Sequence, residues 1–116
     1  MTENTAMTWR VFLSSTGRDL GDYRAAAIAV CNELGLIPVA MEFWESLGRG
    51  ATAISLAKLD TCHLFVGFFT HRYGYVEDGD ARSLTEREFD HAADKMDRLC
   101  FVMSADHPWP LGKVEI

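Results

Sequence analysis

Residues 83–92 read SLTEREFDHA and place two glutamates, Glu86 and Glu88, near the start of what reads as a helix. A carboxylate there can move a proton, attack an electrophilic carbon or stabilise a developing cation. Ser83 followed three residues later by Glu86 is the capping-box spacing. The serine oxygen can accept from the Glu86 N–H while the carboxylate reaches back to the N–H of Ser83. That gives Glu86 a structural task. At about 100° per residue, Phe89, Ala92, Ala93 and Met96 share an inward face, and Arg87, Asp90 and Asp94 point to solvent. Glu88 falls at the edge of the apolar stripe, beside Thr85 and below Ala92. It is partly desolvated, next to a small residue that leaves room for a ligand, and not needed for the cap. The other reading is an acid that favours the positive helix N-terminus, and both readings stay open.

The elements that must position this helix alternate between two periodicities. WRVFLS (Trp9–Ser14) is a short apolar run and reads as a buried strand. Leu20, Tyr23, Ala27, Val30 and Leu34 recur at spacings of three and four, predicting a helix with one buried face, ended by Gly35 in a left-handed cap. LIPVA (Leu36–Ala40) reads as a strand, and Pro38 assigns it to a sheet edge because proline cannot donate to a ladder. A glycine-containing loop leads to a second helix over Thr52–Cys62. HLFVGFFT (His63–Thr70) is a nearly continuous apolar strand, which implies burial on both faces. RYGYVEDGDAR is a polar loop, the third helix runs from about Leu84 to Met96, and RLCFVM (Arg98–Met103) is a fourth strand.

This βαβαβαβ order predicts an α/β fold, a flavodoxin-like three-layer sandwich around a four- to five-stranded parallel sheet. Residues 1–8 are expected to be a flexible N-terminus, 9–104 the α/β domain, and 105–116, with its prolines, a tail or a linker to a further domain. Ligands gather at the carboxyl ends of strands in such sheets. The rim therefore comprises Ser14, Ser15, Thr16, Arg18 and Asp19 after the first strand, Met41, Glu42 and Trp44 after the second, and His71, Arg72 and Tyr73 after the third. Ser83, Thr85, Glu86 and Glu88 complete it.

The 116 residues suit one compact domain. A formal net charge of -6 argues against non-specific nucleic-acid binding and against adsorption to anionic membrane. No run approaches the roughly 18 apolar residues of a spanning helix, and MTENTAMTWR has neither the basic nor the apolar region of a signal peptide. Cys31, Cys62 and Cys100 are far apart in apolar runs and read as buried free thiols of a reducing compartment, so a cytoplasmic protein is expected. No paired Cys/His spacing, Walker motif or dinucleotide glycine fingerprint is present, and no metal or cofactor is expected.

VFLSSTGRDLGDYRAAAIAVCNELGLIPVAMEFW, SLAKLDTCHLFVGFFTHRYGYV and SLTEREFDHA together resemble a bacterial TIR-like family of unknown function, over roughly Arg10 to Met103. Members of that family commonly stand at the N-terminus of larger proteins carrying a STAND-type NTPase module, and some belong to antiphage systems. The wider superfamily includes NAD-cleaving TIR domains and nucleoside deoxyribosyltransferases. The latter carry a glutamate three residues after a threonine and four before an alanine, and Thr85, Glu88 and Ala92 match that spacing. By this resemblance Glu88 is the catalytic glutamate. A tryptophan-x-x-x-glutamate pattern typical of many TIR domains is absent.

The resemblance implies an effector that cleaves the N-glycosidic bond of NAD, as substrate, or of a related nucleotide when self-associated. Such cleavage builds oxocarbenium character on the ribose, which a carboxylate beneath C1′ can stabilise or attack. Arg18 and Arg72 could hold a pyrophosphate bidentately, and Ser14, Ser15 and Thr16 could bond ribose or phosphate, or simply cap the first helix. Glu42 could bond a ribose hydroxyl, and Tyr73 or Trp44 could stack on a ring or merely pack. His71 could shuttle a proton or be incidental, and His91 is expected to face solvent. The alternatives are a non-catalytic TIR-like homotypic interaction module, with Glu88 structural, and a deoxyribosyltransferase-like enzyme. Further domains of a longer parent chain are expected partners.

Overall fold

The computed structural model describes residues 8–15, 20–40, 50–70 and 76–102. Among the site residues expected from sequence, Thr16, Arg18, Glu42, Arg72 and Tyr73 lie outside the described residues, as do Asp19, Met41, Trp44 and His71. So do both terminal segments apart from residue 8.

In chain order the elements are β1 (Arg10–Ser15), α1 (Gly21–Glu33), β2 (Ile37–Ala40), α2 (Ala51–Leu59), β3 (Leu64–Phe69), α3 (Leu84–Ala92) and β4 (Asp97–Val102). The four strands form one parallel sheet in the order β2-β1-β3-β4. This is the expected α/β, flavodoxin-like sandwich. Apolar runs form the two central strands because both of their faces must be covered. β2 lies at the edge, as Pro38 requires, with Pro38 in register with Val11.

Alternation along β1 divides the core in two. Phe12 faces the layer of α2 and α3, packing with Leu59, Phe65 and Ala92. Val11 and Leu13 face the layer of α1, packing with Cys31, Ala40 and Val66. Cys31 and Cys62 are buried and Cys100 is half-buried; all three are free thiols, and burial pushes each thiol's pKa up.

Four local expectations are corrected. The inward face of α1 carries Leu20, Arg24 and Cys31, with Ala27 and Ile28 partly buried, whereas Tyr23, Val30 and Leu34 are exposed. The helix is turned by roughly 60°, keeping Leu20 and Ala27 inward, and the arginine that the hydrophobic spacing had excluded is held by a serine of β1. α3 ends at Ala92, not Met96: the N–H groups of Lys95 and Met96 both donate to the Ala92 carbonyl, turning the chain so that β4 starts at Asp97. Ala93 is consequently exposed, while Met96 still packs against the core. His91 is half-buried and bonds Asp60 Oδ1 at 2.7 Å. α2 starts one residue before the expected Thr52, at Ala51, and ends three residues before the expected Cys62, at Leu59.

Gly35 closes α1 as expected. Its φ of 76° allows its own N–H to reach the Asn32 carbonyl at 3.3 Å and that of Leu36 to reach Cys31 at 2.8 Å.

Candidate functional site around Glu88

The connection after β1 crosses to β2 on one side and the connection after β3 crosses to β4 on the other. The carboxyl ends of β1 and β3 therefore flank the topological switch point, where open α/β sheets form their ligand crevice. Glu88 approaches this point from α3.

The start of α3 is built as its sequence dictates. Ser83 is extended and its Oγ accepts from the Glu86 N–H at 3.1 Å, the expected half of the capping box. Thr85 Oγ1 donates to the Ser15 carbonyl at 2.8 Å, fixing the first turn of α3 to the end of β1. One turn further on, Glu88 enters the layer between sheet and helices. It is 4% exposed, deeper than the stripe-edge position expected.

Both carboxyl oxygens are taken by hydroxyls from other elements. Ser14 Oγ of β1 donates to Oε1 at 2.6 Å, and Ser55 Oγ of α2 donates to Oε2 at 2.5 Å. Desolvation by burial pushes the Glu88 pKa up, opposed by the Ser14 and Ser55 hydrogen bonds and by the positive charge of Arg24. Three elements thus hold one carboxyl in a single orientation, in a dry place that raises its pKa above that of an exposed glutamate. Such a group can act as an acid, a base or a nucleophile.

Neighbouring serines part company here because successive strand side chains point to opposite faces. Ser14 points with Phe12 into the α2 and α3 layer. Ser15 turns to the α1 side, where its Oγ accepts from Arg24 Nη1 at 2.8 Å. Arg24 itself is only 8% exposed. Gly67 is in register with Ser14 on β3. A Cβ there would lie 2.8 Å from the Phe69 ring and 2.9 Å from that of Phe65, so this strand position must stay bare.

The segment before α3 is tied to α2 by Glu77. Its carboxylate accepts from the N–H of Thr52 at 2.8 Å and of Gly50 at 3.1 Å, capping a helix whose own N-cap residue, Gly50 at φ 86°, has no side chain to do so. These backbone bonds, Thr52 first, hold the Glu77 pKa below its ordinary value. Asp80 accepts from the Arg82 N–H and pairs with Arg87 at 3.1 Å.

Of the residues expected from sequence, Ser14, Ser15, Thr85 and Glu88 converge at the end of β1. Ser55, Arg24 and Glu77 were missed. A signal existed for Ser55, since Ala51, Thr52, Ser55 and Leu59 form the buried face of α2, and a hydroxyl on an inward face needs a partner. Arg24 carried a weaker one, as the lone charge among alanines. Glu77 carried none, because its partners lie 25 and 27 residues away. Among the described residues, no three His, Cys, Asp or Glu side chains converge to hold a metal, and no helix is long and apolar enough to cross a membrane.

Searches of curated proteins and of solved structures returned no match. A family model does match, over residues 10–115, from the first residue of β1 to beyond β4 and so across the whole Glu88 network. The chain belongs to the family described as Domain of unknown function (DUF4062).

Proposed function

We propose that this domain is a TIR-like effector of bacterial immune signalling that cleaves the N-glycosidic bond of NAD or a related nucleotide when assembled. The observation that carries this reading is the Glu88 carboxyl. It is desolvated, held by hydroxyls of β1 and α2, and set beside the switch point of a parallel sheet. Breaking a bond to a cationic leaving base leaves positive charge on the ribose. A pre-oriented carboxylate stabilises that charge without reorganising, or captures C1′ before water does. Thr85 and Ala92, whose spacing about Glu88 carries the resemblance to glycosidic-bond-cleaving relatives, lie on the same buried side of α3.

The test is NAD consumption by concentrated or artificially clustered protein, wild type beside Glu88→Gln, with products resolved. Loss of NAD with release of nicotinamide in the wild type alone is the expected result. No turnover in either, with both folded and assembled, overturns it.

A second reading is a TIR-like homotypic interaction module in which Glu88 only joins α3 to β1 and α2. It is favoured by the engagement of both Glu88 oxygens by neighbouring elements and by the exposed apolar side chains of β4.

A further inference from the structure

The described residues place one positive charge in the surroundings of Glu88, and it comes from the opposite layer of the sandwich. Arg24 belongs to α1, on the other face of the sheet from α3, and is 8% exposed. Burying a guanidinium is costly unless something is gained from its charge. Its Nη1 donates to Ser15 Oγ at 2.8 Å. The carbonyl of Ser15 accepts from Thr85 Oγ1 at 2.8 Å, and Thr85 lies three residues before Glu88 on α3. Adjacent to Ser15, Ser14 donates to Glu88 Oε1 at 2.6 Å. A continuous path of hydrogen bonds and backbone thus runs from α1 over the end of β1 to both the helix and the carboxyl of Glu88.

We propose that Arg24 is a positioning residue for Glu88: seated on Ser15 across the sheet, it sets the charge state and the orientation of that carboxyl. The proposal rests on the reading of Glu88 as the catalytic group.

The alternatives for setting that charge are few among the described residues. Facing Glu88 are the uncharged Ser14 of β1 and Ser55 of α2, with Gly67 in register with Ser14 on β3. On α3 itself, Arg87 is paired with Asp80, and Glu86 sits at the capped first turn. Glu77 is engaged at the N-terminus of α2. In a dry site two neutral hydroxyls only partly offset the cost of ionising a carboxyl, and a nearby guanidinium favours the ionised form that attacks or stabilises a cation. The direction agrees with the downward effect of Arg24 on the Glu88 pKa.

The experiment is a carbon-13 titration of the full chain labelled at the glutamate carboxyl carbons, with the Glu88 signal assigned by its loss in Glu88→Gln. Arg24→Gln is expected to move the Glu88 midpoint to higher pH, and Arg24→Lys to hold it near the wild-type position. In turnover, the acid limb of the kcat profile moves up in step, and kcat falls on the order of tenfold with KM little changed. A folded Arg24→Gln chain whose Glu88 midpoint does not move overturns the proposal. Should Arg24→Gln not fold, Ser15→Ala decides, since it removes the hydroxyl that links the guanidinium to the end of β1 while keeping its charge: an unmoved midpoint there overturns the proposal, and a moved one supports it. The titration is read on the folded chain whatever its turnover, so a chain that cleaves no NAD refutes the functional reading alone.

Discussion

Two regions of this molecule break the usual partition of residues in opposite directions. At the end of β1 a carboxyl, serine and threonine hydroxyls and a guanidinium are buried together. Along β4, Leu99, Phe101 and Val102 stand 50%, 52% and 75% exposed. Buried polar groups and exposed apolar groups both cost stability, so each region is a candidate for a role besides folding. The two differ in completeness. The polar cluster is satisfied within the chain, each hydroxyl and the carboxyl engaged by a neighbour from another element. Leu99 and Phe101 belong to a half-covered face, with Val102 on the other side of the strand: α1 packs over β1 and β2, whereas Phe101 stacks on Phe68 of β3 at 5.5 Å and remains half exposed. One region suits chemistry that needs a fixed group; the other suits contact with a further surface.

The largest effect separates these roles. Glu88→Gln is expected to reduce turnover by about 10³-fold or more while leaving the far-ultraviolet spectrum intact, whereas Phe101→Ser leaves turnover per assembled chain unchanged. If Glu88→Gln retains full activity, the buried cluster is structural and the contrast between the regions fails.

Removing a hydroxyl comes next. Ser14→Ala or Ser55→Ala leaves one Glu88 oxygen buried without its donor and should cost about 1–3 kcal/mol in urea unfolding. Combining either with Glu88→Gln should cost less than the sum of the single changes, because the uncompensated charge is gone. Strict additivity would mean that the serines matter only through packing.

A smaller effect is the pH dependence of the cluster. Burial raises the Glu88 pKa above the ordinary 4.5. Between that value and the raised one the folded chain holds a proton that the unfolded chain has lost. The stability contributed by Glu88 is thus fully present below the ordinary value and declines as pH rises through the folded one. Glu88→Gln has no such proton. The unfolding free energy of wild type minus that of the variant should therefore fall as pH rises above 4.5. A flat difference would place Glu88 in an environment no drier than solvent.

The smallest stability effect is expected on β4. Phe101→Ser should change unfolding free energy by less than about 1 kcal/mol, since half of the ring already meets water. It should nevertheless lower the sedimentation-derived association of the chain, where that face takes part in assembly. Unchanged association would assign the exposed strand no role in contacts.

Much of this comparison was legible from residue order alone. Alternating apolar runs and helical spacings gave the parallel sandwich, Pro38 marked its edge strand, Gly35 ended α1, and Ser83 capped α3. Each rests on local chemistry: a missing donor, a left-handed backbone, a hydroxyl three residues from an N–H. Projection of one helix isolated Glu88 and set Thr85 beside it. It misjudged the depth of Glu88, because a stripe on one helix says nothing about how closely the next helix packs. The orientation of α1 was misread for a related reason. Hydrophobic spacing chose Tyr23 and Val30 over Arg24, yet a charged side chain can face inward when a partner waits there, and Ser15 was that partner.

The sequence by itself determined the order and type of the elements, the edge position of β2 and the identity of the acid worth testing, since these follow from side-chain period, backbone constraint and short-range capping. Only the tertiary structure decided that Ser55 and Ser14 grip the two oxygens of Glu88, that Glu77 caps α2, and that Arg24 reaches the end of β1 from the far layer. Ser14 and Ser55 lie 74 and 33 residues from Glu88. A hydrogen bond across such separations leaves no periodic trace in the chain; it exists because the sheet register and the helix packing bring the two groups to within 3 Å.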